Sequence, residues 1–361
     1  MDTKAIEAVA LSIRSLSMDA IQKANSGHPG LPLGAAEVAA VLYGELLKHN
    51  PADSKWADRD RFVLSAGHGS MLLYSILHLS GYKVSLDDIK SFRQIGSKCP
   101  GHPEYGETDG VECTSGPLGQ GIAAAVGMAI AENMLAARFN TPKHTIVDHY
   151  TYTLVGEGCL EEGVSSEASS LAGNLGLGKL IVFYDENKIS IDGNTDITFT
   201  DDIEKRYLSY GWQVLRGSMY NVGEIADLVE IAKRDTSKPS LIILKSVIGK
   251  GAPKQGTADV HGAPLGEEGC KAAKSALGIP TDEQFWVAPE AYKYFEEKRI
   301  EWAKAEENWN KTFAEWAKEN PELAKKWDAY WNHKATGDCE SPSYKAGDKL
   351  ATRDASGKSL N

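Results

Sequence analysis

Between residues 4 and 24, apolar side chains recur at Ile6, Val9, Ile13, Leu16 and Ile21. This three-to-four-residue spacing aligns them along one face of a helix. Asn25-Ser26-Gly27 supplies the stop. A second helix is predicted over 34–49, ended by Asn50-Pro51 because the residue before a proline is pushed out of helical conformation. Residues 61–65, RFVLS, read as a short strand running into Gly67-His68-Gly69-Ser70 and a further apolar helix. Strand and helix signals then alternate, with strands at 152–155, 180–184, 213–215 and 241–245 and helices near 117–139, 160–174, 201–210 and 222–234. The runs IVFY and LIIL show no in–out alternation, which suits strands covered on both faces. Strands spaced by helices imply βαβ units, and so an α/β fold whose mostly parallel sheet carries helices on both faces.

The pattern changes near residue 280. Six of the eight tryptophans lie beyond it, and Phe295, Trp302, Trp309 and Trp316 repeat every seven residues on one helix face. A helical extension laying aromatic anchors on a neighbouring surface accounts for this, and a second helical stretch follows Pro321. Residues 335–361 have the Gly, Pro, Ser and Lys mixture of a linker. Three parts are therefore expected: a main domain over 1–275, a helical extension over 276–335 and a linker-like segment over 336–361.

Composition narrows the partners. The chain has 361 residues, 42% of them hydrophobic and 25% charged, with a net charge of −11. These values suit a globular protein with a large core. The acidic balance argues against a nucleic-acid partner, and an anionic substrate would need cations gathered locally. Five cysteines, none at CxxC spacing, point to a reducing cytoplasm and against a zinc knuckle or disulfide framework. The first residues lack the basic start and unbroken apolar run of a signal peptide, and no run of about 18 apolar residues predicts a membrane span.

The densest chemistry follows the strand at 152–155, in Gly156-Glu157-Gly158-Cys159-Leu160-Glu161-Glu162-Gly163, and about thirty residues on in Tyr184-Asp185-Glu186-Asn187-Lys188-Ile189-Ser190. A carboxylate between glycines at a strand end lets backbone approach a bulky anion, and the next helix offers its positive end there. Asn187 can add an amide oxygen. A hard cation takes oxygen ligands, often shared with phosphates. Alone, the Gly-acid-Gly turn also describes an ordinary helix-start acid. The second element, also at a strand's carboxyl end, turns the reading toward a metal–diphosphate clamp. Among nine histidines, three form the pairs Gly27-His28, Gly67-His68 and Gly101-His102, and His261 precedes Gly262. Imidazole suits proton transfer near neutrality, and glycine gives the ring close access to a ligand. Four unrelated loop histidines, each bonded to backbone, would show the same pattern. His49, His78, His144, His149 and His333 lack it and read as structural. Thr114-Ser115-Gly116-Pro117-Leu118-Gly119-Gln120-Gly121 reads as a Gly-rich turn before a close-packed, Ala-rich helix.

The stretch YTLVGEGCLEEGVSSEASSLAGNLGLGKLIVFYDENKISIDG closely resembles the thiamine diphosphate signature of transketolases. SGHPG, SAGHGS, PGHPE and VHGAPLG resemble loops of the same family, and the resemblance spans essentially the whole chain. It implies thiamine diphosphate as cofactor, with Glu157, Asn187 and the Ile189 carbonyl on a divalent metal. It places His28, His68, His102 and His261 around the thiazolium ring and diphosphate. His28, His102 and His261 become catalytic, and His28 and His261 also meet substrate. Gly116 and Leu118 would contact the pyrimidine ring, with Gly158, Glu162, Ile191 and Ile248 as further cofactor contacts. Glu162 and Glu167, expected on nearly the same side of the helix starting near 160, would join a carboxylate network across a dimer interface. One departure is Glu157, where the family has Asp. The extra methylene moves the carboxylate by about 1.5 Å. Mg²⁺ tolerates misplacement poorly and Ca²⁺ better, so either is the expected metal.

The implied activity is transfer of a two-carbon ketol unit between sugar phosphates, with the cofactor supplying a nucleophilic thiazolium carbon. In the family, the group that ionises the cofactor is a glutamate of a second, pyrimidine-binding domain belonging to the other subunit. Leu350-Ala351-Thr352-Arg353 matches the start of that domain, with Arg353 binding the sugar phosphate. The chain by itself is therefore expected to lack activity. It is expected to pair with a pyrimidine-binding domain from a second subunit or from a further C-terminal part, as a homodimer or heterotetramer. A non-catalytic thiamine diphosphate-binding half and a dihydroxyacetone synthase-like enzyme are the competing readings.

Overall fold

The computed structural model describes residues 1–332 and 342–360, so His333, Cys339 and part of the expected linker lie outside the described residues. Five strands form one sheet: β1 (Arg61–Leu64), β2 (Thr151–Val155), β3 (Leu180–Glu186), β4 (Gln213–Ser218) and β5 (Ser240–Lys245). Their order is β1-β2-β3-β5-β4 and every neighbouring pair is parallel. Leu154 stands opposite Phe183, and Tyr184 opposite Ile243. The central strands are buried almost throughout, as their unbroken apolar runs require, whereas the edge strand β4 has no fully buried residue. The sheet is flanked by helices on both faces, the α/β arrangement expected.

Helix α1 (Thr3–Ala24) starts where Asp2 accepts the Ala5 N–H at 3.2 Å and stops at Asn25 in the left-handed region, φ 48°. The single helix expected over 34–49 is instead α2 (Gly30–Gly34), α3 (Ala36–Val41) and a π-helical turn at Leu42–Leu46, with a break at Ala35. The break seats α2 against the loop after β5: Gly249 donates its N–H to Gly30 O at 2.9 Å, and a Cβ on Gly30 would lie 2.7 Å from Ile248 Cγ1. After β1 come α4 (Ser70–Ser80), α5 (Leu86–Lys90) and α6 (Gln120–Phe139).

Helix α6 corrects one expectation. By length and composition it is apolar enough to cross a membrane, the one such helix among the described residues. It packs on β1, β2 and the helix Gly163–Leu175, and Ile122, Val126, Leu135 and Phe139 are among its buried side chains.

The helix expected over 160–174 is also two, α7 (Glu157–Glu161) and α8 (Gly163–Leu175), joined by an extended Glu162 with ψ 135°. Glu162 and Glu167 therefore do not share a helix. Then follow α9 (Ile203–Ser209), α10 (Val222–Arg234), α11 (Glu267–Leu277), α12 (Pro289–Glu319), α13 (Pro321–Trp331) and α14 (Thr352–Leu360).

The chain divides into two compact units, Met1–Asn310 and Lys311–Asn361. Within the first, Trp302 packs on His49 with ring centroids 4.1 Å apart, and Trp309 donates from Nε1 to Ile146 O at 3.0 Å. These are anchoring contacts of the kind the seven-residue repeat suggests. Within the second, Phe313 lies 5.2 Å from Trp316 and 5.3 Å from Trp327.

Candidate active site at the carboxyl ends of the strands

Four adjacent strands deliver their carboxyl ends to one cavity. β1 runs out through Ala66 and Gly67 to His68, β2 into Gly156-Glu157, β3 into Asp185 and Asn187, and β5 through Ser246 to Ile248. This is the edge at which open parallel sheets take ligands. The cavity has a volume of about 350 Å³. Its wall includes His28, His68 and His261 together with Glu157, Asp185 and Asn187.

The imidazoles form one cluster. His28 lies 5.2 Å from His68, 5.8 Å from His261 and 6.3 Å from His102, and His68 stacks on His261 at 5.0 Å. Burial first, then neighbouring histidines, pushes His68 down to about 3. Burial, then His261, Arg93 and His102, pushes His28 down to about 4. Burial also lowers His102 and His261. All four rings are thus neutral near pH 7, each able to donate one hydrogen bond and accept another. The Nδ1 atom of His261 is buried without a hydrogen-bond partner among the described residues, which leaves it for a ligand. His102 does not line the cavity but packs behind Gly116, where a Cβ would meet its Cγ at 3.4 Å.

In the same cavity wall, Glu157 Oε1 accepts the N–H of Asn187 at 2.8 Å and also that of Lys188, whose φ of 61° is left-handed. Asn187 donates from Nδ2 to Asp185 Oδ2 at 2.9 Å, and its Oδ1 accepts the Ile189 N–H at 2.9 Å. Ser246 Oγ donates to Asp185 Oδ1, tying the ends of β3 and β5 together. Burial, then the charge of Asp185, raises Glu157 to about 8, and burial raises Asp185 to about 6. Neither carboxylate has a Lys or Arg partner among the described residues. Two buried carboxyls facing an amide and backbone oxygen form a donor set suited to a hard cation. No group of three or more His, Cys, Asp or Glu is placed to hold a metal among the described residues, so an anion or water must complete any cation's shell.

The remaining expected residues are spread unevenly. Gly116, Leu118, Gly158, Ile189, Ile191 and Ile248 line the cavity, with Ile248 buried and Ile191 63% exposed. Glu162 does not line it, whereas its neighbour Glu161 does. Arg353 lies in the second unit, its side chain exposed beside Asp354. Sequence reasoning gave no site role to Leu31, Gly156, Cys159, Glu161, Asp185 and Ser190, which also form the wall. Asp185 was the detectable one, since it stands in the same strand end as Asn187.

Residues 5–335 match the family model described as transketolase, thiamine diphosphate binding domain. The chain belongs to the transketolase family. It is 62% identical over 367 residues to the transketolase of Treponema pallidum, covering 100% of this chain and 55% of that protein. With the transketolase of Geobacillus stearothermophilus it shares 53% over 362 residues, covering 99% of this chain and 54% of that one. The crystal structure of a Pichia stipitis transketolase in complex with sedoheptulose-7-phosphate superposes with a TM-score of 0.94 at 46% identity, over 99% of this chain and 53% of that one. The Campylobacter jejuni transketolase gives 0.90 at 42% identity, over 100% and 55%. The chain spans about half the length of the curated relatives it matches.

Proposed function

We propose that this chain is the diphosphate- and metal-binding part of a transketolase, and that it transfers two-carbon ketol units between sugar phosphates once a pyrimidine-binding domain completes the site. The observation that carries this is the convergence of His28, His68 and His261 on one cavity that Glu157, Asp185 and Asn187 also line. Thiamine diphosphate, when bound, supplies the nucleophilic thiazolium carbon that accepts and passes on the ketol unit. The protein's share is positioning. Glu157, Asn187 and the Ile189 carbonyl would hold Mg²⁺ or Ca²⁺, and the shell left incomplete by protein oxygens leaves room for diphosphate. Leu118, Gly158, Ile191 and Ile248 would border the cofactor. The neutral rings of His28, His102 and His261 would bond sugar hydroxyl and carbonyl oxygens and carry protons between them. Arg353 would bind the sugar phosphate, in a homodimer or heterotetramer in the cytoplasm.

Calorimetric titration of the chain with thiamine diphosphate tests the binding claim: heat is expected with Mg²⁺ or Ca²⁺ present and none without a cation. Absence of binding with either cation would refute it. Ketol transfer is expected only after the chain is combined with a pyrimidine-binding domain, and robust activity of the chain by itself would overturn the two-part reading. A second reading, a binding module without catalysis, is favoured by one feature: Glu157 Oε1 is already taken by two backbone N–H groups. Binding without activity in the combined protein would select it.

A further inference from the structure

Arg93 stands behind the imidazole cluster and is assigned no role by the resemblance. Its backbone is held at φ 61°, a left-handed conformation that is strained for a non-glycine residue. Its side chain reaches back to the turn that carries His28. Nη1 donates to Ser26 Oγ at 2.8 Å, and Nη2 lies 3.4 Å from His28 Nδ1. The two contacts straddle Gly27, whose φ of 140° shapes the turn. Nε is buried with no hydrogen-bond partner among the described residues. The guanidinium is therefore committed to the turn that carries His28 rather than to any carboxylate.

A guanidinium has only donors, so the ring nitrogen facing Nη2 must be an acceptor. A neutral imidazole whose Nδ1 accepts carries its proton on Nε2. The Nε2 edge has been given space on its own side: a Cβ on Gly262 would lie 3.3 Å from Nε2 and 3.1 Å from Cδ2. We propose that Arg93 is a positioning residue that locks His28 in the Nε2–H tautomer, so that His28 meets a ligand oxygen as a hydrogen-bond donor through Nε2. The groups around the ring support this. His68, His102, His261 and Arg93 face it, none is an acid, and burial with the charge of Arg93 keeps the ring neutral near pH 7. The ligand-facing consequence rests on the cofactor and sugar reading of the cavity. The tautomer does not, and it is measurable without ligand.

The test is a long-range ¹H–¹⁵N correlation spectrum of the 361-residue chain labelled at histidine, at pH 7, with His28 assigned from the signals lost in His28→Gln. His28 is expected to show an unprotonated Nδ1 and a protonated Nε2, with no averaging between tautomers. In Arg93→Met both nitrogens should move toward averaged positions as the Nδ1–H form becomes populated, while the nitrogens of His68 and His261 stay in place. Arg93→Lys, which keeps a cationic donor, should restore much of the wild-type pattern. A wild-type ring that is averaged, Nδ1-protonated or doubly protonated overturns the proposal, and that spectrum decides even if Arg93→Met fails to fold. A folded Arg93→Met chain with unchanged His28 nitrogens overturns it as well.

Discussion

Glu157 Oε1 accepts the backbone N–H of Asn187 at 2.8 Å, across the carboxyl ends of the adjacent strands β2 and β3. The same oxygen takes the N–H of Lys188, so one carboxylate holds the turn that presents the Asn187 amide. A shorter Asp, the residue that the resemblance leads one to expect here, is the natural comparison. The longer side chain spends Oε1 on the turn, and the proposed cation would take Oε2.

Glu157→Gln separates these two roles. Glutamine keeps an oxygen that can accept both N–H groups but removes the charge. The melting temperature should shift by only ~2–3 °C, whereas affinity for thiamine diphosphate with Mg²⁺ should fall at least about tenfold, or ~1.4 kcal/mol. Glu157→Asp should weaken the hold on the turn, losing about 1 kcal/mol of stability for each hydrogen bond left unmade. Calorimetry and thermal melts on the two variants read both effects. Wild-type cofactor affinity in Glu157→Gln would remove Glu157 from the metal site.

Two glycines distinguish cavity from scaffold. A Cβ on Gly158 would meet only the far end of Leu118, at 2.9 Å from Cδ1. Leu118 can rotate, but it rotates within the cavity wall. Gly158→Ala should therefore leave stability unchanged or slightly raised, since alanine favours the helix by about 1 kcal/mol, while cofactor affinity drops. A Cβ on Gly121 would instead lie 2.5 Å from the Cα of Ser65, where α6 starts against the end of β1. Backbone cannot swing aside, so Gly121→Ala should cost about 1–3 kcal/mol of stability. Denaturant titrations compare the two, and equal destabilisation would mean that Leu118 is not free to move.

Much of this site was readable before folding because it lies where local signals are strong. The apolar runs IVFY and LIIL mark β3 and β5, and the residues that follow them, Asn187 and Ile248, are then placed by the general rule for parallel sheets. The four histidines stood out through the glycines beside them. What stayed hidden depends on contacts between distant segments. The break at Glu162 is invisible to periodicity, because a helical pattern continues across it. The break at Ala35 exists because Gly30 packs on Ile248, more than two hundred residues away in sequence. Asp185 gains its role only when Ser246 and Asn187 close on it. Arg93 reaches His28 only after Gly27 turns the chain.

Arg353 provides a test that the cavity cannot. It lies in the second unit with its side chain exposed, so Arg353→Ala should leave cofactor binding by this chain unchanged. In a protein completed by a pyrimidine-binding domain, loss of a charge-assisted phosphate contact should raise KM for phosphorylated sugars about 10–100-fold, the equivalent of roughly 1.5–3 kcal/mol. Steady-state kinetics with phosphorylated and unphosphorylated acceptors would show it. An equal effect on both acceptors would refute the phosphate role.

His49 gives the chain a pH dependence whose sign can be worked out. It is 1% exposed, with Nδ1 2.9 Å from the Tyr82 hydroxyl, Nε2 3.2 Å from Tyr43 O, and Trp302 on its face. Burial lowers its pKa from 6.5 to about 3, only partly offset by the bond to Tyr43. As pH falls below 6.5 the unfolded chain takes up a proton that the folded chain refuses until about pH 3, so stability is lost across that window and is level above it. The loss approaches about 1.4 kcal/mol per pH unit for this one ring, or about 2 kcal/mol between pH 7 and pH 5. Buried carboxylates with raised pKa values, such as Asp60 and Asp185, change stability in the opposite sense over part of the same range, so the wild-type curve alone mixes the two. Comparison with His49→Gln removes them. Glutamine can bond both tyrosine partners but does not titrate, and every other group is common to both chains. Urea unfolding at pH 7 and pH 5 should show the wild type losing about 2 kcal/mol relative to the variant. A difference that does not change with pH would mean that His49 takes up its proton in the folded chain as readily as in the unfolded one.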